Sequence, residues 1–146
     1  MYPMLQTAAV LFGMAGLGGL VIAVIRLRGI PRPPAWLAMG HGLLAAAGLT
    51  LLLYACFTTG IPFLAEVALG MLLVAALGGG AMNLLFHAKE RALPVPFMIF
   101  HGVLAVGGLI ALLVCLSQQP PENTAVVSHA ALPRDFSAGR ALSPHP

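Results

Sequence analysis

Four long stretches of this chain carry no charged side chain: Met1 to Ile25, Pro33 to Ala65, Val67 to His87 and Ala92 to Pro121. Apolar residues run through each of them with almost no polar face. About 20 such residues in a helix cross the roughly 30 Å hydrocarbon layer of a bilayer. The pattern therefore predicts four spans, at about 7–26, 35–57, 62–86 and 96–117. Prolines punctuate it. Pro34, Pro62 and Pro96 fall at or near span starts, where a missing N–H costs least. Short connections between the spans predict an all-α, integral membrane four-helix bundle running up-down-up-down.

The pattern also repeats. His41-Gly42-Leu43-Leu44-Ala45 and His101-Gly102-Val103-Leu104-Ala105 align without a gap, and the offset between them is sixty residues. The same offset pairs Ala15, Leu17, Gly18 and Gly19 with Ala75, Leu77, Gly78 and Gly79. It also pairs Pro34 with Pro94, and Gly48 and Leu49 with Gly108 and Leu109. The bundle, residues 1–117, reads as two duplicated helical hairpins at about 5–57 and 65–117. Each hairpin holds an even number of spans, so both have the same membrane orientation and the symmetry axis runs along the membrane normal. In an up-down-up-down bundle spans two and four are parallel and diagonal, which puts His41 and His101 on opposite walls at one depth.

Composition removes the soluble alternatives. The chain of 146 residues is 60% hydrophobic and 8% charged, against about 25% charged in a soluble domain. Its mean hydropathy is +0.97. The net charge of +3 is too small and too scattered for a nucleic-acid surface; its distribution gives orientation instead. Arg26, Arg28 and Arg32 fill the first loop, Lys89 and Arg91 the third, and Phe57-Thr58-Thr59-Gly60-Ile61 has no charge. The positive-inside rule then expects loops one and three in the cytoplasm and both termini outside, in the periplasm for a bacterial inner membrane. Basic residues follow the first apolar stretch rather than precede it, so it is expected as a retained span and not a cleaved signal peptide. Beyond residue 117 the character changes: Pro120, Pro121, Pro133, Pro144 and Pro146 break any periodicity, and 118–146 reads as a Pro-rich extramembrane tail. Cys56 and Cys115 make neither a metal motif nor a disulfide framework and read as apolar filler.

The chemistry concentrates on the histidine pair. An imidazole in hydrocarbon needs a partner, because an unpaired polar group there costs several kcal/mol. Two imidazoles at matching positions point to a shared one, and iron between two axial imidazoles is the sharpest form of that. Ordinary, separately satisfied histidines are the alternative. Small residues surround both rings: Ala45 and Gly48 follow His41, and Ala105 and Gly108 follow His101, at helical spacing. Gly18 and Gly19 on span one and Gly78 and Gly79 on span three lie at a similar depth. They leave room either for a flat macrocycle or for close helix packing. Arg26 and Arg32 are candidates to pair with haem propionates. Asn83 is a candidate cofactor contact or a helix-joining hydrogen bond. His87 reads as interfacial, or as a propionate or quinone contact; Glu66 either reaches water or takes part in proton exchange. Thr50 satisfies itself on its own preceding turn.

With four spans and His41 and His101 placed for bis-imidazole ligation, the chain resembles small four-helix membrane cytochromes b, both the b561-like proteins and the haem-bearing anchor subunits of respiratory enzymes. The resemblance is architectural and covers residues 5–117. It implies one non-covalent haem b, with His41 and His101 as iron ligands, and electron transfer with quinone or a partner redox protein. Many such proteins carry ligands for a second haem, and this chain has no second matched intramembrane pair. Such a protein works as an electron carrier or as a subunit of an oxidoreductase, with other membrane redox subunits or a second copy as partners, rather than as a stand-alone enzyme. Two other readings stay open: an accessory subunit of a respiratory or photosynthetic complex, cofactor-free or binding pigment through each histidine separately, and a small transporter. The transporter lacks the broken helices and midplane charges expected of one.

Overall fold

The computed structural model describes residues 2–87, 89 and 94–118. It contains four long helices, α1 (Tyr2–Leu27), α2 (Ala35–Thr59), α3 (Phe63–Met82) and α4 (Val95–Ser117), with a π-helical turn at Asn83–His87 extending α3. Each helix is long and apolar enough to cross a membrane. Helix α1 starts earlier than the span expected at 7–26, because the helix continues past the apolar thickness and takes Pro3 into its first turn, where proline is tolerated. The third span ends in the π-turn, separated by two residues from the run Gly78-Gly79-Gly80, where helix propensity is low. The basic residue Arg91 and the tail beyond residue 118 lie outside the described residues.

The helix ends follow from sequence. Pro34, Pro62 and Pro94 occupy the N-cap positions of α2, α3 and α4. Each offers its carbonyl to the first turn, as Pro62 does to the N–H groups of Ala65 at 2.8 Å and Glu66 at 3.1 Å. Helix α1 closes in a Schellman arrangement: Gly29, at φ 92°, donates to Arg26 and Ile30 donates to Ile25. Gly60, at φ 65°, ends α2. Thr50 donates to the Ala46 carbonyl at 2.9 Å, which settles its hydroxyl inside its own helix.

Within each half the helices pack as a close hairpin, α1 on α2 and α3 on α4, and the hairpins meet along two looser seams, α1 with α4 and α2 with α3. Helices α2 and α4 are diagonal. The interior is built from small side chains: Ala8, Ala15, Ala55, Ala65, Ala68 and Ala75 are all buried, together with Leu5, Leu52, Leu72 and Leu112. Outward stand Leu17, Leu43, Phe57, Phe63, Leu77 and Phe100, each more than 60% exposed. A surface this apolar suits lipid, not water. Lipid tails are as apolar as leucine, so the helices are held by close van der Waals contact between small faces rather than by expelling water.

Packing is not even along the bundle axis. The main core fills the half farthest from the α1–α2 loop, around Leu5, Phe12, Leu52, Leu72 and Leu112. A small second cluster, Met82 and Met98 with Ala23 and Val95 against it, lies toward the end that carries Arg26 and Arg32 (the basic end). Between them no residue is fully buried: α1 has none from Ala15 to Ile22, α3 none from Ala75 to Met82, α4 none from Met98 to Gly108, and α2 none before Gly48. Seven residues of helix make this under-packed layer about 10 Å tall.

Candidate functional site

His41 and His101 project into that layer. Each is half-buried and each is seated by its own hairpin. The Nδ1 of His41 lies 2.7 Å from the Ala15 carbonyl oxygen of α1, and the Nδ1 of His101 lies 2.8 Å from the Ala75 carbonyl of α3. The two bonds are equivalent under the sixty-residue repeat. A carbonyl oxygen only accepts, so Nδ1 carries the proton on both rings and donates. Nε2 is then the lone-pair nitrogen of each imidazole. Among the described residues neither Nε2 has a hydrogen-bond partner, and no side-chain nitrogen or oxygen is sealed away unsatisfied. Both basic nitrogens therefore open onto space.

A local device exposes those carbonyls. In a helix the side chains three and four residues on stand beside the carbonyl of residue i. Here these are Gly18 and Gly19 for Ala15, and Gly78 and Gly79 for Ala75. A methyl on Gly19 would lie 3.0 Å from Cε1 of His41, and one on Gly79 would lie 3.1 Å from Cε1 of His101. Gly18 is looser, 3.6 Å from the Cβ of His41, and Gly78 has nothing within 4 Å.

Bringing the hairpins together places the rings edge to face across the diagonal. Their centroids are 6.0 Å apart and their planes cross at 79°. The rings share one partly open cavity of about 80 Å³. Ala45 and Ala105 line it, with Ala15, Gly16, Ala75 and Ala76 opposite them. Phe12 and Leu72 bound it on the side of the main core. Gly48 supports the Phe12 ring, 3.1 Å from a methyl it does not have, and Gly108 likewise supports Leu72 at 2.7 Å. The lining is nearly two-fold symmetric: Phe12, Ala15, Gly16, His41 and Ala45 answer Leu72, Ala75, Ala76, His101 and Ala105.

The candidate residues thus separate. The histidines, Ala45 and Ala105 line the cavity, Gly19 and Gly79 face the rings, Gly18 lies on the stem of His41, and Gly48 and Gly108 carry the side chains of its floor. Arg26, Arg32 and Asn83 are not among its lining residues. Arg26 is half-buried seven residues beyond Gly19, Arg32 is exposed in the α1–α2 loop, and Asn83 is exposed in the π-turn. Glu66 is exposed near the start of α3. Sequence reasoning passed over the Ala15 and Ala75 carbonyls. Their signal was present: Ala-x-Leu-Gly-Gly occurs twice, each time 26 residues ahead of the histidine. Among the described residues no cluster of three or more His, Cys, Asp or Glu side chains exists. A metal here would have two protein ligands and would need the rest from a group it arrives with.

No protein-family model, no curated protein and no solved structure matches the chain. The resemblance to membrane cytochromes b accordingly stands on the four-helix architecture alone.

Proposed function

We propose that this protein is a membrane b-type cytochrome that holds one non-covalent haem between His41 and His101 and passes electrons to or from a quinone or a partner redox protein. The observation that carries the reading is the pair of matched imidazoles, 6.0 Å apart, both with Nδ1–H committed to a backbone carbonyl. Fixing one ring nitrogen by such a bond orients a ligand and raises the basicity of the other nitrogen. Two neutral imidazoles would suit iron held in a macrocycle, with His41 and His101 as the residues that would bind it. The alanines that line the cavity keep its walls small and apolar. The haem supplies reversible one-electron chemistry when bound; the chain supplies ligands, orientation and a surrounding from which water is excluded.

Rings that face each other in one cavity support a shared occupant over two pigments held separately. The test is the reduced-minus-oxidised absorption spectrum of the full chain, purified in detergent from haem-sufficient cells, beside His41→Ala and His101→Ala. Sharp b-type bands in the wild type, lost or converted to a high-spin form in either variant, are expected. A colourless wild type with intact helical signal would overturn the proposal and leave the accessory-subunit reading, for which co-purification is the next measurement.

A further inference from the structure

We infer that Gly19 and Gly79, and not their neighbours Gly18 and Gly78, are positioning residues that lock both imidazoles in the Nδ1–H form and aim Nε2 into the shared cavity. The inference deepens the cytochrome reading and names the residues that set the ligand field of the same site. Three observations meet at these two positions. Each histidine donates from Nδ1 to a carbonyl four residues before the glycine, on the helix that carries it. Each glycine faces the Cε1 edge of the ring, the carbon between the two nitrogens: an added methyl at Gly19 would lie 3.0 Å from Cε1, 3.3 Å from Nδ1 and 3.7 Å from Nε2 of His41, and at Gly79 3.1, 3.5 and 3.8 Å from the same atoms of His101. The neighbouring glycines make no such approach, at 3.6 Å from a Cβ for Gly18 and nothing within 4 Å for Gly78.

The physical consequence is specific. Alanine at position 19 or 79 forces the ring to move by a few tenths of an ångström, along the edge that makes the hydrogen bond. The Nδ1–H···O bond lengthens, Nε2 is re-aimed and its basicity falls. A weaker axial base stabilises the oxidised metal less, so the midpoint potential rises. The same methyl at position 18 or 78 enters ordinary contact or open space and leaves both rings where they are.

The experiment compares Gly18→Ala, Gly19→Ala, Gly78→Ala and Gly79→Ala in the full chain. Midpoint potential and the low-spin EPR signal are read in the loaded protein. Expected are an upward potential and a displaced largest g value in G19A and G79A, by similar amounts, with G18A and G78A matching the wild type. Equal effects at 18 and 19, or at 78 and 79, would overturn the inference while leaving the haem assignment intact. A second measurement reads the wild-type protein and does not depend on the cofactor. Side-chain ¹⁵N NMR of the histidines in cofactor-free wild-type protein, with His41 and His101 assigned by substitution, should show Nδ1 protonated and Nε2 bare on both. An Nε2–H signal from either ring overturns the inference. A protein that takes up no haem, yet shows the Nδ1–H form on both rings, removes the cytochrome reading and keeps the seating of the rings.

Discussion

Glycine does three different things in this bundle, and the differences are a matter of tenths of an ångström. At Gly29 it supplies a positive φ of 92° that closes α1. At Gly19 and Gly79 it clears the way to a carbonyl. At Gly48 and Gly108 it accepts a large side chain from the neighbouring helix. Substitution should separate these roles. Gly108→Ala puts a methyl 2.7 Å from Leu72 Cγ and 3.3 Å from the Ala68 carbonyl oxygen, and overpacking of this kind costs about 1–3 kcal/mol. Its thermal midpoint in detergent should fall clearly below that of the wild type. Gly78→Ala meets nothing and gains helix propensity, so it should be neutral or stabilising by up to roughly 1 kcal/mol. A melting series that ranks the two the other way would mean that the helices are packed differently.

At the scale of the element, each hairpin is a complete seat for one imidazole. The ring, its carbonyl acceptor and the glycine beside it all come from α1 and α2, or all from α3 and α4. Neither hairpin makes a pair. Three helix starts were legible in the sequence because proline acts locally: the spans expected from 35, 62 and 96 begin at Ala35, Phe63 and Val95, directly after Pro34, Pro62 and Pro94, whereas the start of α1 at Tyr2 and the stops at Gly29 and Gly60 were not read from it. The π-turn at Asn83–His87 was not legible, because changing the hydrogen-bond register of a helix leaves no mark on hydropathy. Orientation in the bilayer belongs to this scale as well. With native cysteines replaced, Thr59→Cys should react with a membrane-impermeant thiol reagent added to intact cells, and Arg28→Cys only after lysis. The opposite labelling would reverse the topology that the arginines of the first loop imply.

At the scale of the whole molecule, stability and site occupy different layers. Leu52 and Leu112 are fully buried in the main core, away from the histidines. Leu52→Ala or Leu112→Ala should destabilise the bundle by about 2–5 kcal/mol, seen as a lower melting midpoint, with the spectrum of the proposed haem unchanged in the folded protein at low temperature. His41→Ala removes a hydrogen bond and a ring from an already loose layer, so it should cost less packing than either leucine, while removing the spectrum that the proposed haem would give. If the leucine variants lose their colour before they lose their helices, the two layers are coupled more tightly than the gap between them implies.

The residues alone determined that this is a four-helix membrane protein, where three of its four helices start, and that it is built twice. Those properties rest on side-chain polarity and on backbone restrictions, both of which act over a few residues. The residues also named the two histidines, since an imidazole in an uncharged span needs a partner. The tertiary structure decided what the small residues are for. Gly18 and Gly19 are identical in composition and adjacent in sequence, yet one lies beside an imidazole edge and the other against a Cβ, because successive helical positions point about 100° apart. It also placed the cavity on the main-core side of the rings, lined by Phe12 and Leu72 and not by Arg26, Arg32 or Asn83. Depth along a helix can be counted from a sequence. The direction a side chain faces, and what another helix has placed opposite it, depends on how two hairpins dock, and no local pattern records that.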